Sequence, residues 1–165
     1  MRIVGIDPGT THSGLVRLNS GDHGRWPPVV TLAVKDCPND ALLFSLSSVA
    51  CDLVVCEWLT TYRNAPIGAT VLDTALLVGR IIERSTAPVS LITRPDVGYE
   101  LCQNRAAKES QLTEAIRGLY EPTGGGKRPH RGTKAQPGPL YGLSDHAWSA
   151  LAAALAWMRR EGVTG

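Results

Sequence analysis

The sequence predicts an α/β domain: a mixed five-stranded sheet, three strands of it an antiparallel meander and the others parallel, with helices on both faces. Two patterns predict it. Up to Lys35 the chain holds three runs rich in β-branched residues, separated by Gly- and Pro-containing links. Beyond Pro38, apolar strands alternate with amphipathic stretches that repeat every three to four residues, as expected of parallel strands joined through helices. The order read along the chain is β-β-β-α-β-α-β-α-α.

The first strand spans Arg2 to Ile6 and Asp7 ends it; Pro8-Gly9 turns the chain, and Ser13 to Leu18 runs back. Asn19 to Pro28 is a loop, and Val29 to Lys35 is the third strand. Pro38 to Ala50 reads as a helix with Leu42, Leu43, Leu46 and Val49 on one face. Asp52 to Cys56 is a continuous apolar run, the mark of a central strand covered on both sides, and it ends at Glu57. Thr60 to Gly68 is a polar loop. Ala69 to Arg84 is a helix with apolar positions Leu72, Leu76, Leu77 and Ile81. Val89 to Thr93 is the fifth strand, closed by Arg94-Pro95. Arg105 to Tyr120 is an amphipathic helix with Leu112, Ile116 and Leu119 inward. Ser144, as N-cap, opens a helix to Arg160, whose alanines at 150, 152, 153, 154 and 156 allow close approach to the sheet.

The chain has 165 residues, read as one domain over 1–165, and a net charge of +2 too small to argue for a partner by itself. Between about 121 and 143 the composition changes to a Gly/Pro-rich, basic stretch, read as a flexible loop without structure of its own. Cys37, Cys51, Cys56 and Cys102 form no CxxC and no zinc-like set, so they read as buried reduced thiols. No secretory signal or long apolar run is visible, and a cytoplasmic protein without membrane contact is expected.

The chemistry is carried by strand ends. Asp7 and Glu57 each follow an apolar strand, and open α/β sheets bind ligands beyond such ends. If the two strands are parallel neighbours, the carboxylates lie side by side and repel unless a cation bridges them. Oxygen ligands at a solvated edge favour Mg²⁺, with Mn²⁺ as a substitute. Two such ions per site suit phosphodiester hydrolysis, one activating water and the other stabilising the leaving oxygen. Asp145 and His146, at the start of the last helix, are further candidates for this site.

The runs RIVGIDPGTTHSG, VVCEWL, ALLVGR, KESQL and SDHAWSALAAALA, in this order, resemble the RuvC family of Holliday-junction resolvases within the RNase H-like superfamily. The resemblance implies an RNase H-like fold and a metal-dependent endonuclease that acts on four-way or related branched DNA in recombination and repair. It also implies a homodimer, since symmetric cleavage needs two sites. It makes Asp7 the first metal-binding Asp and Glu57 the strand-four Glu. The last helix departs from the family pattern of two acids three residues apart: His146 takes the first position and Ser149 the second, with Asp145 as the compensating acid. The family pattern also has a lysine two residues before a Gln, near the scissile phosphate. Here Lys108 stands three before Gln111, with Glu109 between.

Cationic contacts to DNA phosphates are expected from Lys127, Arg128, Arg131 and Lys134 in the basic loop, and from Arg63; Tyr62 would stack on a base near the junction centre. A second reading is a RuvC-like module that binds branched DNA with weak or no cleavage because of Ser149. A third, prompted by the likeness of DPGTTHSG to the phosphate loop of sugar kinases and actin-like ATPases, needs two such domains, and 165 residues leave no room for them.

Overall fold

The structure is a computed structural model that describes residues 1–21, 25–59 and 68–163. Five strands, β1 (Arg2–Asp7), β2 (His12–Asn19), β3 (Val29–Pro38), β4 (Leu53–Trp58) and β5 (Val89–Thr93), form one sheet in the order β3-β2-β1-β4-β5. β1, β2 and β3 pair antiparallel as the expected meander, while β4 runs parallel to β1 and β5 parallel to β4. The helices are α1 (Asn39–Leu46), α2 (Ala69–Arg84), α3 (Arg94–Cys102), α4 (Glu109–Leu119) and α5 (His146–Arg160). No helix among the described residues is long and apolar enough to cross a membrane.

Side chains alternate across a strand, so the sheet has two cores. Ile3, Val16, Leu18, Leu53, Val55 and Ile92 pack against residues of α3, α4 and α5. Val4, Ile6, Leu15, Val54 and Cys56 pack against α1 and α2. In β1 the odd positions thus face α5, and in β4 the odd positions do the same. Asp7 and Glu57 are both odd. Parity alone turns both carboxylates toward α5, and the parallel register, in which Ile6 pairs with Cys56, sets them side by side.

α5 lies directly on β1 and β2. Its small residues Ala147, Ala150, Ala153 and Ala154 are buried. The strands answer with glycines: a Cβ at Gly5 would strike the Ala150 carbonyl, and one at Gly14 the His146 backbone. Both ends of the contact are therefore stripped to backbone, and this close approach brings the first residue of α5 over Asp7.

Several elements differ from expectation. Arg94-Pro95 does not only close β5; it begins α3, where Thr93 Oγ1 accepts from the Asp96 N–H at 3.4 Å and donates to Asp96 Oδ2 at 2.6 Å. The Arg105–Tyr120 helix starts only at Glu109, because Gln103 takes a left-handed turn (φ 54°) and Gln111 Oε1 accepts from the Lys108 N–H at 2.9 Å. α1 stops at Leu46, beyond which Ser47 and Ser48 hydroxyls bond back to helix carbonyls. Asp145, rather than Ser144, is the N-cap of α5. Leu72 and Leu76 face outward, 58% and 67% exposed, while Thr74, Leu77, Val78 and Ile81 form the buried side of α2. All four cysteines are free, but only Cys56 is fully buried.

The stretch 121–143 has structure of its own. Gly124, Gly125, Thr133, Gly138 and Leu140 donate backbone hydrogen bonds within it, and Gly132 pairs with Pro137 as an isolated bridge. Leu140 and Leu143 insert into the α5-side core.

Replacing Gly5 by Ala places a methyl group against the Ala150 carbonyl. It should cost about 1–3 kcal/mol of stability, read as a lower urea midpoint with an unchanged slope.

Candidate functional site

The site forms at the carboxyl ends of β1 and β4. The turn behind Asp7 is braced from below: Ser13 Oγ donates to Asn39 Oδ1 at 2.8 Å, and Asn39 Nδ2 donates to the Gly9 carbonyl at 3.0 Å. Ser13 is fully buried, so this small polar network fixes the direction in which β1 delivers its last residue.

The Asp7 side chain is 18% exposed and the Glu57 side chain 15%. Burial of Asp7 outweighs the help of His146 and Arg94 and lifts its carboxyl above the ordinary range. Glu57 is pushed up to about 7, first by burial and then by the neighbouring Asp7 charge, against a smaller pull from Arg94. Glu57 Oε2 is buried and lacks a hydrogen-bond donor among the described residues. Arg94 Nη1 stands 3.8 Å from it, within ion-pair range but too far for a hydrogen bond.

α5 contributes His146, whose Nδ1 donates to Asp7 Oδ2 at 2.9 Å. An ionised carboxylate can only accept, so Nδ1 carries the proton and Nε2 of the neutral ring is left as an acceptor. The Asp7 contact raises the His146 pKa. Asp145 is turned elsewhere: its backbone has φ 42° and its carboxylate pairs with Lys35 Nζ at 3.6 Å across β3. The structure therefore brings together Asp7, Glu57 and His146 of the expected residues, and not Asp145. Lys108 is exposed at the N-cap of α4. Tyr62 and Arg63 lie outside the described residues. In the basic stretch Lys127, Arg128 and Lys134 are exposed and Arg131 half-buried, and none forms an ion pair among the described residues.

Two site residues were not anticipated. Arg94 and Arg105 line the cleft above Asp7 and Glu57, together with Trp58. Arg105 is held by Asp96 at 2.7 Å and lies over the Tyr99 ring, whereas Arg94 remains directed at Glu57. The signal for Arg94 was present in Thr93-Arg94-Pro95-Asp96, a capped helix start at the same sheet edge as Asp7.

Among the described residues no three His, Cys, Asp or Glu groups stand as a finished metal cage. The donor set nonetheless fits a divalent cation with oxygen ligands. Two carboxylates are crowded together, both are driven toward neutrality by burial, and one buried oxygen is without a donor.

The three titrating groups act in one direction. Glu57 holds its proton in the folded state up to about pH 7, against 4.5 for the ordinary carboxyl, so its contribution to stability falls as pH rises through that window. Asp7, also raised, follows the same sign, and the stabilising His146⁺ contact is lost as pH rises through the raised His146 value. In EDTA the melting temperature should fall between pH 5 and pH 8. Glu57→Gln should remove most of that fall, recovering about 1–3 kcal/mol at pH 8 and little at pH 5.

The chain matches no protein-family model. It is 32% identical over 139 residues to the Corynebacterium glutamicum crossover junction endodeoxyribonuclease RuvC, covering 74% of this chain and 62% of that protein. It is 32% identical over 130 residues to the Corynebacterium efficiens protein of the same name, covering 70% and 57%. The chain thus spans about three fifths of the length of these curated relatives. Thermus thermophilus RuvC superposes with a TM-score of 0.65 at 22% identity, covering 99% of this chain and 98% of that one. The T. thermophilus RuvC in complex with Holliday junction substrate gives 0.63 at 19%, covering 98% and 96%. The yeast mitochondrial Holliday junction resolvase Ydc2 gives 0.58 at 14%, covering 99% and 80%. The solved structures share the fold, and the chain is similar in sequence to the two curated RuvC proteins over about three fifths of their length.

Proposed function

We propose that this protein is a structure-selective endodeoxyribonuclease that hydrolyses phosphodiester bonds in Holliday junctions or related branched DNA, using divalent metal. The observation that carries the reading is the Asp7–Glu57 pair: two carboxylates held side by side, with the buried Oε2 of Glu57 lacking a donor among the described residues. Such a pair is costly to fold around and useful only where positive charge arrives. The curated relatives' name and the junction-bound T. thermophilus structure support the same substrate class.

Asp7, Glu57 and His146 would hold Mg²⁺ or Mn²⁺, which when bound would supply Lewis-acid polarisation of the phosphoryl oxygen and a water of lowered pKa. The chain's own part is positioning. His146 holds the Asp7 carboxylate in one orientation through Nδ1. Burial keeps both acids in a site of low polarity, where opposite charge is attracted strongly. Arg94 and Arg105, on the rim of the cleft, offer cationic groups to a phosphate. Lys127, Arg128, Arg131 and Lys134 would bind the DNA backbone, as would Arg63, with Tyr62 against a base. Lys108, exposed at the N-cap of α4, would contact a phosphate.

A homodimer goes with this reading. Leu72, Leu76 and Gly79 form a stripe on the outer side of α2 with i, i+4, i+7 spacing, and Phe44 of neighbouring α1 is 80% exposed. Exposed leucines one turn apart are wasted on solvent and suit a second copy of the same helix.

The deciding experiment is incubation of a synthetic four-way junction with the folded protein and Mg²⁺ or Mn²⁺. Cleavage into nicked duplexes is expected. Asp7→Asn should lower the rate by more than about 10³-fold while junction binding persists. A bound but intact junction in both metals would instead make the protein a branched-DNA-binding module, the outcome that Ser149 on α5 favours. By light scattering, Leu76→Glu should convert a dimer to a monomer; a wild-type monomer would remove the dimer from the reading.

A further inference from the structure

On α5 the position three residues past His146 carries Ser149, so this helix offers no second acid facing the site. Asp145 does not replace it, being paired with Lys35 and held outside the helix at positive φ. A carboxylate does stand opposite, on α4. Glu109 and Ser149 line the same narrow cleft, and Arg94 lines both that cleft and the wider one over Asp7 and Glu57. The two clefts therefore adjoin through the Arg94 side chain.

Glu109 is the first residue of α4, and the helix start is fixed by Gln111 Oε1 accepting from the Lys108 N–H. Its carboxylate is exposed and has no ion-pair partner among the described residues. Turning it breaks no ion pair among the described residues and costs rotamer freedom. It also stands two residues before Gln111, at the position where the family pattern has a lysine. The acid missing from α5 thus coincides with an acid gained at the facing position of α4.

We infer that Glu109 supplies, from α4, the far-side carboxylate ligand of the divalent-metal site that α5 does not provide. This rests on the reading of Asp7 and Glu57 as metal ligands. Two observations support it beyond the shared cleft. The Glu109 charge is near enough to bear on Asp7. The buried Glu57 Oε2 lacks a donor among the described residues, which leaves an oxygen for an ion that Glu109 would share.

The test is Mn²⁺ binding to the full chain without DNA, measured by calorimetry and by electron paramagnetic resonance counting of free ion. Glu109→Gln should weaken Mn²⁺ binding at least tenfold or remove one bound ion, with an unchanged melting temperature in EDTA. Adding Ser149→Asp in that background should restore binding by returning the acid to α5. Wild-type binding by Glu109→Gln, while Asp7→Asn abolishes it, overturns the inference and leaves the metal site standing. Loss on Asp145→Asn with Glu109→Gln unaffected overturns it too, in favour of the α5 acid. Absence of any Asp7-dependent Mn²⁺ binding removes both the inference and the metal reading. A Glu109-dependent ion in a protein that leaves junctions uncut supports the inference and rejects the nuclease.

Discussion

The close seating of α5 on β1 and β2 is the contact on which the site depends. Gly5 and Gly14 remove side chains from the strands, and the alanines of α5 remove them from the helix. What remains is backbone against backbone, with van der Waals contact along the helix and little tolerance for added volume. Its reward is positional. A helix displaced outward by one methyl group would carry His146 away from Asp7 and open the α5-side core beneath Leu151 and Leu155.

Against that tight frame the site itself is electrostatically unfavourable. Two acids share a buried corner, and Arg94 approaches one of them without forming a hydrogen bond. A protein selected for stability alone would place apolar or singly charged side chains there. The surrounding packing tolerates the cost because Asp7 ends β1 and Glu57 stands next to the end of β4, each directly after buried strand residues. The strands pin their ends, so the repulsion cannot relax by moving backbone.

How much of this was legible in the sequence follows the range of the interactions. The five strands and the Asp7–Glu57 pairing were legible, because a charge ending an apolar run is a local signal and strand alternation has a period of two. α2 matched in its bounds; it carries leucines on two sides, and periodicity alone does not say which side meets the sheet. α3 escaped because proline after a strand reads as a stop, although Pro95 follows a Thr cap and suits a helix start. Asp145 was misplaced because its pairing with Lys35 joins residues far apart in the chain and depends on an unusual backbone angle. In the basic stretch, glycine density suggested absence of order, whereas Gly126, Gly132 and Gly142 use positive φ to make tight turns that hydrogen-bond internally. Tyr62 and Arg63 fall outside the described residues.

The alternation that aims both carboxylates has an evolutionary consequence. Deleting or inserting one residue within β1 or β4 would leave the strand paired yet rotate its terminal acid to the α1–α2 side, where Ile6, Val54 and Cys56 now pack. Length variation that preserves the site is therefore confined to the connections, or must come in pairs of residues within a strand. The six residues that end in Asp7 do not admit a change of count by one.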